Sequence, residues 1–242
     1  MAISLKSFEK KKMPSLQRYF DHLYEDLGPQ QWWPAKTQLE VVLGAILTQN
    51  TRWKNAEMAL QSLRTRKWLQ FSSLRKLKHS DLAKAIRPAG FFQQKATTIK
   101  NFLSFLDLNY DSSFKKMFNQ STHRLREQLM QIKGFGPETV DTILLYGGQR
   151  PTFIVDAYTR RILERHGLIS PRLSYDEVQT LFHNSLDSDP AVFNEYHALL
   201  VGVGKTFCKK GNPDCHYCPL KSYLPSHQNN KLTPEGYPRN ML

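Results

Sequence analysis

Cysteine is nearly missing from this chain: three occur in 242 residues, at Cys208, Cys215 and Cys218. An odd number crowded into one stretch is a poor disulfide framework for a secreted domain. It reads better as a metal loop in a reducing compartment, so a cytoplasmic protein is expected. Long apolar runs are missing too, and none approaches the roughly 20 residues that a membrane span needs. The N-terminal stretch MAISLKSFEKKKMP is charged and has no apolar centre, so no secretory signal is expected. Alternating strand patterns are scarce. TFIV at 152–155 is a short β-like run that reads equally well as an extended link. Acidic residues are outnumbered, 21 Asp+Glu against 34 Lys+Arg, which leaves a net charge of +13. That balance calls for an anionic partner, nucleic acid before an anionic membrane surface.

What the chain does have is helical periodicity. Its apolar content of 40% is enough for a sizeable core in one or two domains. LQRYFDHLYEDLG (16–28) carries apolar residues at helical spacing and stops at glycine. LEVVLGAILTQN (39–50) is apolar nearly all round, which predicts a buried central helix. Further helices are expected in NAEMALQSLRTR, SDLAKAIRPAG, QKATTIKNFLSFL, HRLREQLMQI, PETVDTILLYGG, DAYTRRILERHG, YDEVQTLFHNSL and PAVFNEYHALLVGVG. Pro88 and Gly90 mark a loop in IRPAGFF. Beyond Pro225 the chain turns polar and loses its period, so a disordered tail is expected.

Several residues stand out for their chemistry. Lys133, Gly134, Phe135 and Gly136 form KGFG between two helical patterns. Glycines there can take positive φ and bring backbone N–H groups close to an anion, and Pro137 suits a first helical position. The pattern reads either as a phosphate seat at a helix start or as a plain turn. Glu138 complements the positive end of the next helix. Asp156 precedes AYTRRILERHG, where it can cap the helix for about 1 kcal/mol and stay ionised beside the helix start. Trp32, Trp33 and Pro34 lie just before the buried helix and Trp53 just after it, as core or staple packing or as walls of one shared pocket. Gln49 is a polar residue at a helix end.

Four of these stretches carry a family resemblance, in one order along roughly residues 30–224. LMQIKGFGPETVDTIL resembles the helix-hairpin-helix of the DNA glycosylases of the endonuclease III superfamily. IVDAYTRRI resembles the segment that holds their catalytic aspartate, which implies that role for Asp156. LGAILTQNTRW resembles the helix that ends near the flipped nucleotide, which implies that Gln49 faces DNA. Cys208, Cys215 and Cys218 match the first three positions of the family's C-x6-C-x2-C-x5-C iron–sulfur loop, and Leu224 stands at the fourth. The resemblance implies an all-α, two-lobed helix-hairpin-helix glycosylase fold. One lobe is expected over 30–150, the other from 1–29 with 151–225, with a tail at 226–242, DNA in the cleft between lobes and Asp156 at the seam.

It also implies a reaction. In members that cut the strand, a lysine stands where this chain has Glu138, and a carboxylate cannot form the Schiff base. A monofunctional glycosylase is therefore expected. WWPAKTQLEVVLGAILTQNTRW and IRPAGFFQQKA are most similar to endonuclease III-like 3-methyladenine DNA glycosylases, which makes Trp32, Trp33, Pro34 and Trp53 the base pocket. The partner is double-stranded DNA with a damaged base, gripped by Gln49, Lys133, Gly134, Phe135 and Gly136, with no membrane and a monomer at the nucleoid. Lys205, Lys209, Lys210 and Lys221 suit phosphates. The cysteine loop stays open between a [4Fe–4S] cluster one thiolate short, zinc with His216 or His227, and no metal. Two other readings stand: a glycosylase/lyase for oxidised pyrimidines, and a non-catalytic DNA-binding protein.

Overall fold

Several helix starts follow capping side chains of the sequence. In the computed structural model, which describes residues 15–30, 32 and 35–225, the Ser15 side chain accepts from Arg18 N and opens α1 (Leu16–Leu27). Thr37 accepts from Glu40 N and opens α2 (Gln38–Leu47). Each such cap contributes about 1 kcal/mol. α3 (Trp53–Thr65), α4 (Phe71–Lys76) and α5 (His79–Ala85) come next. Pro88 confines the following segment to a 3₁₀ turn, Arg87–Ala89, before the long α6 (Phe92–Tyr110). Ser113 caps α7 (Phe114–Phe118), and Ser121 caps α8 (Thr122–Met130). Pro137 occupies the first position of α9 (Pro137–Thr142), which continues as a π-helical turn over Ile143–Gly147. α10 (Ala157–Arg165), α11 (Tyr175–Ser185) and α12 (Pro190–Thr206) complete the α-helices, and a 3₁₀ turn at Pro219–Tyr223 ends the described chain. Ser174 and Glu177 form a reciprocal capping box at α11.

The fold is all-α, with no strand among the described residues. TFIV is extended and buried but joins no ladder, so it acts as a link from the π turn to Asp156. Among the described residues, no helix is long and apolar enough to cross a membrane.

Two compact units form. One holds the described parts of 31–156 and 187–198, and the other holds the described parts of 1–30, 157–186 and 199–242. In the first, α2 is the centre: Val42, Leu43, Ile46 and Leu47 have no exposed surface, and α3, α6, α9 and the π turn pack around it. Burying each such side chain contributes about 1.5–3 kcal/mol. The C-terminal end of α2 is closed by a buried cation. Lys95 Nζ donates to the carbonyls of Leu47 and Ala89, each at 2.8 Å. Burial pulls its ammonium down to about 8.

In the second unit α1 packs on the 3₁₀ turn Pro219–Tyr223 and on α11. Tyr19 lies fully buried, with its hydroxyl 2.9 Å from His166 Nδ1 and its ring against Tyr223. Burial drives the His166 imidazole down to about 4 and the Tyr19 phenol well up. At neutral pH the imidazole is therefore uncharged, and the phenol is the proton donor of the pair. The expected tail at 226–242 lies outside the described residues.

Candidate active site

The hairpin is built from α8 and α9 with KGFG between them. Asp141, with no exposed side-chain surface, takes Nε and Nη2 of Arg126 on its two oxygens at 2.9 and 3.2 Å. That two-pronged pair fixes the angle between the helices. Gly134 has φ of +101°, and a Cβ there would lie 2.2 Å from Thr98 Oγ1. The turn therefore admits only glycine at this position. Gly136 differs from the expectation: it is extended at φ −116°, and nothing lies within 4 Å of a Cβ placed on it. Its missing side chain leaves open space rather than relieving strain.

The other turn residues divide by role. Phe135 stacks on Phe102 at 6.1 Å and anchors the turn to the core. Lys133 is exposed, and its carbonyl accepts from Asn101 Nδ2 at 3.1 Å. Gln49, at the end of α2, donates from Nε2 to the Gly134 carbonyl and the Thr139 hydroxyl, both at 2.9 Å. Open glycine backbone beside an exposed lysine is a setting that accepts a phosphate oxygen.

The same unit gathers two carboxylates, an imidazole and a phenol. Asp156 directly precedes α10 and is 12% exposed in its side chain, with Oδ2 3.7 Å from His197 Nε2. His197, on α12, is buried, and its Nδ1 lies 2.7 Å from the hydroxyl of Tyr146 in the π turn. Glu138, in the first turn of α9, is an exposed residue by surface area, yet protein packs closely around its carboxyl. That crowding, and then the charge of Asp156, push the carboxyl up to about 7 against an opposing pull from His197. Tyr146 is held well above its ordinary value by burial, then by Asp156 and Glu195, so it stays a phenol. Sequence patterns single out Asp156 and Glu138 but neither Tyr146 nor His197. Both of the latter sit within ordinary helical patterns with no local signal.

Of the four aromatic-segment residues, Trp32 and Trp53 are half-buried, with Trp53 the first residue of α3. Trp33 and Pro34 lie outside the described residues. Phe91 is a further aromatic that the sequence patterns did not single out. It is 63% exposed with φ of +42° just before α6, an uncommon backbone for a bulky side chain. The signal was present in AGFF, where two phenylalanines follow a glycine and only one, Phe92, packs against the core.

The cysteine loop does not form a four-thiolate cradle. Leu224, at the fourth position, is buried and lines the same small cavity as Cys208, Cys215 and Cys218. That cavity measures about 10 Å³, near the least that holds one water. Arg165 donates to Cys208 Sγ at 3.2 Å and to the carbonyls of Lys209 and Lys210. Arg161 holds the carbonyls of Cys208 and Gly204. Burial pushes the Cys218 thiol up to about 11. Of the two histidines that could complete a zinc site, His216 is exposed against Tyr217, and His227 lies outside the described residues. Among the described residues no group of three or more His, Cys, Asp or Glu side chains is arranged to hold a metal ion.

Known proteins share this architecture. A protein of Methanocaldococcus jannaschii, named provisionally as a DNA repair glycosylase, is 40% identical over 216 residues, 89% of this chain and 98% of its own. Endonuclease III of Thermotoga maritima is 27% identical over 183 residues, 76% of this chain and 80% of its own. Among solved structures, H. pylori 3-methyladenine DNA glycosylase bound to 1,N6-ethenoadenine matches with a TM-score of 0.70 at 24% identity, covering 79% of this chain and 98% of that one. A non-covalent endonuclease III–DNA complex matches with a TM-score of 0.75 at 17% identity, covering 89% and 96%. Residues 43–187, more than half of the chain, match the model of the HhH-GPD superfamily base excision DNA repair protein, and the chain belongs to that family.

Proposed function

We propose that this chain is a monofunctional DNA glycosylase that excises alkylated purines of the 3-methyladenine type, with Asp156 as its catalytic carboxylate. The observation that carries the reading is a carboxyl at Glu138 that feels the charge of Asp156. Glu138 answers to the position where a strand-cutting relative needs an amine, and its carboxyl is raised by burial and by the charge of Asp156. A carboxylate there offers no Schiff base.

Cleavage of an N-glycosidic bond develops positive charge on the sugar, and a fixed carboxylate beside it stabilises that charge. Asp156 also orients or deprotonates the attacking water. The target base must leave the stack. Phe91, exposed just before α6, is an apolar side chain of the kind that wedges between base steps. Trp32 and Trp53 offer aromatic faces for a cationic purine. Lys133, Gly134 and Gly136 seat a backbone phosphate, with Gln49 bracing the turn. The 3-methyladenine enzyme of H. pylori lends the substrate class its support. The reading includes a monomer acting at the nucleoid, in keeping with the charge of +13.

Endonuclease III of T. maritima favours the competing reading, a lyase acting on oxidised pyrimidines. One experiment separates the two. Duplexes carrying a single alkylated purine or a single oxidised pyrimidine are incubated with the protein, and half of each sample is then heated in alkali. The expected result is strand breaks at the alkylated purine only after heating. Breaks at the oxidised pyrimidine without heating would overturn the proposal.

A further inference from the structure

We propose that His197 is a positioning residue for Asp156: braced by Tyr146 at Nδ1, it presents Nε2–H to the carboxylate and keeps it aimed and charged while the glycosidic bond breaks. The inference rests on the reading of Asp156 as the carboxylate of a glycosylase. Three separate segments of one unit supply the parts: the π turn gives Tyr146, the link gives Asp156, and the first half of α12 gives His197.

The contacts run in one line, from phenol to imidazole to carboxylate. The Tyr146 hydroxyl and His197 Nδ1 lie 2.7 Å apart. In the proposed arrangement the phenol donates there, Nδ1 accepts and the proton stands on Nε2. His197 Nε2 is itself buried and has no hydrogen-bond partner among the described residues, while Asp156 Oδ2 stands 3.7 Å away. Contacts of this kind are often long before substrate binds and shorten in the reacting complex. An oriented N–H beside a carboxylate favours its charged form and fixes its rotamer. The other ionisable groups acting on this cluster are Glu138 on α9, through Asp156 and His197, and Glu195 on α12, through Tyr146.

The test is single-turnover excision from a methylated-purine duplex across pH. It uses wild type, His197→Leu, His197→Gln and Tyr146→Phe, repeated with Glu138→Gln so that Glu138 supplies no limb of the profile. His197→Leu should cut the rate about tenfold to a hundredfold, the usual loss for a partner that orients a working group, with DNA affinity unchanged. Its acid limb should move to higher pH. His197→Gln, which keeps an N–H near the Nε2 place, should retain most of the rate and the limb. Equal rates and limbs for wild type and His197→Leu would overturn the proposal and leave the glycosylase reading standing. So would a His197→Gln protein as slow as His197→Leu with both limbs unmoved, since that is packing alone. A wild-type chain that releases no methylated purine overturns the glycosylase reading instead. In that case ¹⁵N shifts of the His197 ring still decide: the Nε2–H tautomer is expected, and the Nδ1–H tautomer overturns the proposal.

Discussion

Gln49 holds Gly134: its Nε2 donates to the glycine carbonyl across 2.9 Å, so the end of α2 pins the hairpin turn. Behind Gly134 stands Thr98, whereas Gly136 faces open space. The two glycines should therefore separate folding from binding. Gly136→Ala should melt like wild type yet weaken DNA affinity across many sequences alike. Gly134→Ala should lower the melting temperature, through strain at positive φ and the clash with Thr98. Affinity should fall steeply with salt, as phosphate contacts release counterions. Melting curves and a salt titration check this, and a Gly136→Ala protein with wild-type affinity would remove phosphate from the turn.

Asp156→Asn should abolish base release while leaving DNA binding nearly intact, because the phosphate seat proposed above is the hairpin turn. Single-turnover excision beside a binding isotherm measures both. Comparable excision by the two proteins would take Asp156 out of the mechanism.

Borohydride should trap no covalent adduct with the wild-type chain, since position 138 carries no amine. Trapped protein–DNA bands on a denaturing gel would point to another lysine and to lyase chemistry.

The all-α fold was legible because its signals are local. Apolar spacing and the Pro88 break each act within a turn of the helix, and so do the caps at Ser15, Thr37, Ser113 and Ser121, which the spacing alone did not single out. The hairpin was legible through the resemblance, which also supplied the reading of Asp156. His197 was not. Its partners Tyr146 and Asp156 are distant in the chain, and only packing brings them to it. The same holds for Arg165, which reads as one more basic residue of α10 until it is found on Cys208 Sγ. That residues 187–198 pack with the hairpin unit has no sequence signal either.

Glu138→Gln should change stability with pH in a definite sense. Its folded value of about 7 lies above the ordinary 4.5. The native state therefore holds the proton more tightly than the unfolded chain between those values. The contribution is fully present below pH 4.5 and is lost as pH rises through about 7. The variant should melt with wild type near pH 4 and above it near pH 8. Thermal melts at both ends check the sign.

Trp53→Ala should lose stacking and cation–π attraction together. Stacking on one aromatic face contributes about 1–3 kcal/mol, so excision should fall about tenfold to a hundredfold at about 1.4 kcal/mol per factor of ten. The loss should be larger for cationic 3-methyladenine than for neutral hypoxanthine. If Trp53 serves only packing, the variant should melt earlier and lose both activities in step.

The π turn at Ile143–Gly147 carries a consequence for comparing sequences. A π turn is in effect one residue inserted into an α-helix, and each inserted residue rotates the rest of the helix by about 100°. Tyr146 meets His197 in that widened turn. A relative that keeps a plain α-helix would be one residue shorter here, with a different side chain facing the imidazole. Pairing the two chains without a gap inside the helix would misregister every position from the turn to Asp156.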